Sequence, residues 1–274
     1  MPELPEVETI KRDLEDKVRG KRVKRVIIKN EKCIKEPTSK EFIRKVEGKR
    51  FEKIQRRGKF LLIGLDSLDT LVIHLKLTGQ LIYSKEGEMI DYTRLIFVFH
   101  DRSQLSFADV RGFGSIWLIP DEDFDRIPSL GSLGLEPLED VFSLERFKDI
   151  LRKKKRGKIK PLLMDQSLIA GVGNVYSQEA LFLAGIHPER NPSKLLDEEI
   201  RSLYNNLRKI LQEAIKYRGS SVDNYVDLEG KKGSYEQHLN VYGREGQSCP
   251  RCGAKIRRIT LAGRGTYFCP NCQK

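Results

Sequence analysis

The second and third residues carry the most reactive chemistry in this chain. Met1 is followed by Pro2 and Glu3, so removal of Met1 leaves a free secondary amine beside a carboxylate. An α-amino group titrates at about 7.7–8.0, and a useful fraction is therefore unprotonated near neutrality. Such an amine attacks an aldehyde-level carbon to form a Schiff base, the covalent catalysis otherwise done by lysine. A proline Schiff base has no N–H to lose, so it stays a cationic iminium and a strong electron sink. Glu6 stands one helical turn beyond Glu3. There it either orients the N-terminus or acts only as a first-turn carboxylate favoured by the helix dipole.

A second chemistry lies at the other end. Cys249-Pro250-Arg251-Cys252 and Cys269-Pro270-Asn271-Cys272 are sixteen residues apart, the spacing of a four-thiolate tetrahedral zinc site. Four protein ligands leave no open position, so the single Zn2+ is structural. Two such turns framing a hairpin (255–260 with 266–268) argue against a redox pair. The hairpin tip, 261–265, holds Arg264 between two glycines, out on a rigid finger. Cys33 is left over and reads as a half-buried free thiol.

Three weaker signals lie between. Gly171-Val172-Gly173-Asn174 precedes an amphipathic stretch; backbone N–H groups at a helix entrance, with Asn174 as N-cap, form a phosphate site. Upstream, Arg152 to Lys160 holds seven basic residues in nine, a source of sequence-independent, salt-sensitive binding to a duplex. Finally, Gln55 to Lys59, His74 to Gly79 and Asp109 to Gly114 each set a basic residue near an apolar one at a strand–loop boundary. A protein that takes a base out of a duplex needs such wedges to fill the gap.

Elements must hold these residues in place. Val7, Ile10, Leu14 and Val18 predict a helix over 5–18. Runs rich in Val, Ile, Leu and Phe predict strands at 22–29, 59–65, 70–75, 94–100 and 114–119. Residues 127–137 interrupt every periodicity and read as a linker. Beyond it, helices are predicted at 143–155, 161–165, 174–184 and 197–217. The class is α+β: an N-terminal antiparallel β-sandwich with flanking helices (1–132), a helical segment (133–238) and the cysteine-bounded hairpin module (239–274).

Lys and Arg exceed Asp and Glu by 51 − 39 = 12 in 274 residues. That surplus points to a polyanionic partner, nucleic acid rather than a membrane surface. Residues 1–20 are charged throughout and lack the apolar stretch of a signal peptide, and the apolar runs are too short to span a bilayer. The chain reads as cytoplasmic and nucleoid-associated.

The opening Pro-Glu-Leu-Pro-Glu, Arg56-Arg57-Gly58-Lys59, Asp109-Val110-Arg111-Gly112-Phe113-Gly114, Gly171-Val172-Gly173-Asn174-Val175-Tyr176, Val241-Tyr242-Gly243-Arg244 and the terminal hairpin together resemble the formamidopyrimidine-DNA glycosylase (8-oxoguanine DNA glycosylase) family from Pro2 to Lys274. The resemblance implies a helix–two-turn–helix segment and a bifunctional base-excision repair enzyme. Its partner would be double-stranded DNA containing oxidised bases or abasic sites, met by a monomer. It makes Pro2 the nucleophile, Glu3 the proton donor to the sugar, Lys59 the acid of β-elimination and Arg264 the residue of δ-elimination. Arg111 and Phe113 face the widowed base and wedge the duplex. Leu77 takes the place of the family's usual methionine wedge, and Gly112 that of a basic residue. His74, Lys155, Lys160 and Asn174 are further DNA contacts, Arg94 stands where a DNA-contacting histidine is common and would bond phosphate instead, and 218–238 is the loop that closes over an oxidised purine. Two other readings are carried. An endonuclease VIII-like enzyme for oxidised pyrimidines would share Pro2, Glu3, Lys59 and the hairpin, but Leu4 and the long loop favour the purine enzyme. A non-enzymatic zinc-hairpin DNA-binding protein would leave Pro2-Glu3 without a reason.

Overall fold

The computed structural model describes every residue except 155 and 223, so the expected contact at Lys155 lies outside the described residues. The chain separates into two units, 1–132 with 217–236, and 133–216 with 237–274. In the first, helix α1 (Leu4–Lys17) precedes strand β1 (Val23–Ile28), β2 (Ile34–Glu36), α2 (Ser39–Val46) and strands β3 (Phe51–Arg57), β4 (Phe60–Leu65), β5 (Asp69–His74), β6 (Gly79–Lys85), β7 (Thr93–Phe99), β8 (Ser103–Asp109) and β9 (Ser115–Pro120). The strands form two sheets, ordered β1-β7-β8-β6 and β2-β9-β5-β4-β3. All pairings are antiparallel except β2 with β9, which is parallel, so the expected wholly antiparallel sandwich holds apart from one edge.

The sandwich core is aromatic. Phe51 meets Phe97 and Phe99 edge-on at 5.6 and 5.5 Å, and these rings are fully buried. Each such side chain contributes about 1.5–3 kcal/mol on leaving water, which makes the sheets a stiff platform for the loops at their ends. Between β1 and β9, four strands and a helix go beyond the elements expected from the sequence. Strand β8 is central in its sheet and buried along its whole length although it reads Ser-Gln-Leu-Ser-Phe-Ala-Asp; its polar residues hide a strand that only pairing reveals. A register shift at Phe51/Lys53 breaks the alternation of β3, β2 is three residues long, β6 opens on Gly79, and α2 is eight residues capped by Thr38. Cys33 is buried rather than half-buried, and burial pushes its thiol up to about 11.

The first unit ends its N-terminal stretch with a four-residue helix α3 (Pro128–Gly131) inside the expected linker; the second unit holds α4 (Leu144–Lys153), α5 (Ile159–Leu163), α6 (Asn174–Ala184), α7 (Asp197–Lys216) and the hairpin β10 (Arg257–Leu261) and β11 (Arg264–Phe268). Helix α6 has almost no polar face: residues 176–182 are all buried. Its buried Gln178 and Glu179 are therefore obliged to find partners, and both find them in the hairpin module.

Candidate active site and nucleic-acid interface

At the N-terminus of α1, Glu3 is the cap residue and Pro5 lies in the first turn, where a missing N–H costs nothing. Pro2, Glu3 and Glu6 are all buried. The Glu6 carboxylate uses both oxygens: Oε2 accepts from the Glu3 N–H and Oε1 from the Ser220 N–H, each at 2.8 Å. Gly219 lets this happen. Its φ is +81°, and a Cβ there would lie 2.8 Å from Glu6 Oε1. Glu6 therefore ties the reactive start of the chain to the 217–236 segment.

That segment is held at several points. Arg218 donates to Asp13 on α1 at 2.6 Å and to Asp227 at 2.7 Å. Tyr225 and Leu228 are buried in the sandwich core, and Tyr83 N–H donates to the Leu228 carbonyl at 2.8 Å. Sequence reasoning missed Arg218 and Asp13 because their pairing spans some two hundred residues with no local pattern.

Lys59 sits in the two-residue turn between β3 and β4 and is 5% exposed. The turn is fastened to α1 through Arg56, which bonds Glu8 at 3.1 Å and the Gly58 carbonyl at 3.0 Å. Opposite Phe60 on β5 is His74, its ring edge-on to Phe60 at 4.5 Å. Burial, then the charges of Lys76 and Lys59, push His74 down to about 3. Its Nδ1 accepts from the Lys76 N–H at 3.0 Å, so Nε2 carries the proton of the neutral ring.

Leu77 lies half-buried in the turn that follows, and the exposed Arg111 and Phe113 lie in the β8–β9 loop. Gly112 has φ +69°, which turns Arg111 and Phe113 onto one face, the guanidinium 4.8 Å from the ring centroid. Arg94 does not stand free as a phosphate contact. Its Nε and Nη2 donate to the carbonyls of Asp109 and Val110 at 2.9 and 3.3 Å, so its guanidinium braces the loop.

In the second unit, Asn174 is the first helical residue and Gly173 the cap, contrary to the expected N-cap. The Asn174 side chain works sideways instead: its Oδ1 accepts from Lys160 Nζ at 2.7 Å, and Lys160 also donates to Thr266 Oγ1 at 2.8 Å. Lys160 is 1% exposed, so it is an internal bracket between α6 and β11 rather than a surface contact. Gln178, which the sequence reading passed over, adds a bond to the Gly265 carbonyl at 3.2 Å and accepts from Tyr267 N–H. Glu179 accepts from the backbone N–H groups of Asn240, Val241 and Tyr242. The remaining signal for both was polarity on a helix without a wet face.

The hairpin is tighter than expected. Leu261 pairs with Arg264 across a two-residue turn, Ala262-Gly263, with φ of +49° and +72°, the geometry that matches strand twist. Arg264 is thus the first residue of β11, exposed beside the turn and not at its tip. Cys249, Cys252, Cys269 and Cys272 place their four Sγ atoms within 4.8 Å of one another. Cys249 and Cys272 are 3.8 Å apart and Cys252 and Cys269 3.5 Å. Ligands at about 2.3 Å from a tetrahedral zinc would be about 3.8 Å apart, so the set fits one structural Zn2+.

Three family models cover this chain: the formamidopyrimidine-DNA glycosylase N-terminal domain over residues 1–116, its H2TH domain over 133–226, and the zinc finger found in FPG and IleRS over 246–274. A formamidopyrimidine-DNA glycosylase from Pelotomaculum thermopropionicum is 45% identical over 100% of this chain and 99% of its own. The chain belongs to the formamidopyrimidine-DNA glycosylase family. Among solved structures of that family, the MutM (Fpg) protein of Thermus thermophilus is 40% identical with a TM-score of 0.89, covering 99% of this chain and 98% of its own. The Lactococcus lactis Fpg bound to abasic-site DNA is 37% identical with a TM-score of 0.92, covering 99% of each chain. Another Lactococcus lactis complex contains Fapy-dG DNA and scores 0.91 at 36% identity, over 99% of this chain and 100% of its own. Among the described residues no helix is long and apolar enough to cross a membrane.

Proposed function

We propose that this family member is a bifunctional DNA glycosylase and abasic-site lyase of base-excision repair, acting on oxidised purines in double-stranded DNA. The observation that carries this reading is the start of α1. A proline one cleavage from the terminus is buried beside Glu3, and a carboxylate two-handedly fixes that start against a neighbouring segment. The bond to Glu3 is that of a capping box; the bond to Ser220 is the one a cap alone would not need.

In this reading the target nucleotide is flipped out at a cost of a few kcal/mol that damage lessens. The Pro2 nitrogen bonds to the anomeric carbon while Glu3 protonates the ring oxygen, so the sugar opens and the base departs. The resulting iminium acidifies the adjacent sugar carbon; its proton is lost and the 3′ phosphate leaves, with Lys59 as acid. A second elimination, assisted by Arg264, expels the 5′ phosphate. Arg111 and Phe113 fill the gap with Leu77, Asn174 grips backbone phosphate, and His74, Arg94 and Lys160 hold the contacting groups in place. The segments 1–132, 133–238 and 239–274 serve lesion chemistry, strand grip and strand-end processing, with 217–236 folded onto the first. An enzyme of genomic DNA works in the cytoplasm at the nucleoid, as a monomer suited to an asymmetric duplex.

Borohydride reduction tests the reading. Protein lacking Met1, mixed with 8-oxoguanine opposite cytosine, should yield a covalent protein–DNA adduct mapped to Pro2. No adduct, or equal trapping by Pro2→Gly, refutes it. Faster release of thymine glycol than of 8-oxoguanine would move the substrate to oxidised pyrimidines.

A further inference from the structure

Two chain crossings between the sheets lie side by side at one end of the sandwich. Strand β5 leaves the five-stranded sheet after His74 and enters the other as β6 at Gly79; β8 leaves the four-stranded sheet after Asp109 and returns as β9 at Ser115. Gly79 and Asp109 are paired in register, so the crossings that carry Leu77 and Arg111-Phe113 start from one rung. Asp109 is 1% exposed and both of its carboxylate oxygens bond residues of these crossings. Oδ2 accepts from Gly114 N–H at 2.7 Å, and Oδ1 accepts from Arg111 N–H at 3.2 Å and from the Thr78 hydroxyl. Thr78 Oγ1 in turn accepts from Arg111 N–H at 3.1 Å. The Asp109 carbonyl takes the Arg94 guanidinium, and its N–H donates to Tyr92.

We infer that the Thr78 hydroxyl and the Asp109 carboxylate lock the Leu77 turn and the Arg111-Phe113 loop into one rigid wedge, making both positioning residues for base extrusion. This rests on the glycosylase reading and deepens it. Leu77 and Phe113 are on different crossings, and a wedge acts on a base pair only if its parts enter together. A buried carboxylate shared between the two crossings supplies that coupling, since a charged acceptor strengthens each bond it receives. Neither residue touches DNA; each acts through the loops it holds.

Thr78→Val removes the hydroxyl at constant shape, and Thr78→Ser keeps it. Single-turnover release of 8-oxoguanine from duplex needs the wedge, whereas cleavage of a single-stranded abasic oligonucleotide has no partner strand to invade. Thr78→Val should slow duplex base release about tenfold, the worth of one charge-assisted bond in orientation. It should leave single-strand cleavage within about twofold, and Thr78→Ser should recover the duplex rate. Fluorescence of 2-aminopurine beside the lesion should show slower extrusion in Thr78→Val alone. Equal slowing on both substrates, or no slowing on either, overturns the coupling while leaving the enzyme reading intact. Wild-type protein inactive on both substrates overturns the enzyme reading and this inference with it.

Discussion

Glu6→Gln separates the two roles open to this carboxylate. If it only complements the helix dipole, its charge contributes about 0.3–1 kcal/mol. The structure assigns more. Both oxygens accept backbone N–H groups, from Glu3 and Ser220, and the side chain is 3% exposed. Glutamine has one acceptor oxygen, so its amide must point N–H against one of the two donors. A hydrogen bond to a charged acceptor contributes about 1.5–3 kcal/mol, and a buried donor left unpaired costs about 1–3. The two describe the same loss from either side, which puts the penalty at about 2–3 kcal/mol. For a protein of this size that is a drop in Tm of roughly 4–12 °C. Because the Glu3 N–H is one peptide from the nucleophile, displacement of its anchor should also slow borohydride trapping, by up to about a hundredfold for a 1 Å shift. Calorimetry and single-turnover trapping on abasic DNA check both. A Tm unchanged to within about 1 °C together with trapping at the wild-type rate would return Glu6 to the dipole role. Gly219→Ala should reproduce the defect from the other side, since its Cβ would press on Glu6 Oε1.

Three more predictions concern other parts of the molecule. Lys160→Met removes two charge-assisted bonds from a buried site, a loss of about 2–4 kcal/mol after the desolvation it relieves. On abasic duplex it should shift products from δ- toward β-elimination on a denaturing gel; an unchanged ratio would show that the bracket does not place Arg264. Zinc stripped by a chelator should abolish amide exchange protection over 246–274 and the same δ-product, while the sandwich keeps its protection. His74 titrates at about 3 when folded against an ordinary 6.5. Between those values the unfolded state binds the extra proton, so stability falls as pH falls, by up to about 1.4 kcal/mol per pH unit. His74→Asn keeps an acceptor near Nδ1 without the proton, and should flatten Tm against pH in that window; an unaltered slope would assign it to other groups.

The chemistry of the chain was legible in its sequence because it depends on residue type and short spacing. Pro2 beside Glu3 at the start, and two CxxC turns sixteen residues apart, mean the same thing in any fold that lets them meet their targets. Helices α1 and α7 were legible for a related reason: their apolar periodicity reports burial of one stripe, a local pattern. Strand β8 was not, because its Ser, Gln and Asp are buried by neighbours on both sides, which no window of sequence contains. The tertiary structure alone decided which polar groups serve as brackets. Lys160 and Arg94 look like surface cations in the sequence, yet one is enclosed between a helix and a hairpin and the other is spent on two carbonyls. Glu6, Asp109 and Gln178 gain their partners from segments 31 to 214 residues away. Hydrogen bonding is short-ranged and directional, so who receives a buried donor is settled only when the chain has closed around it.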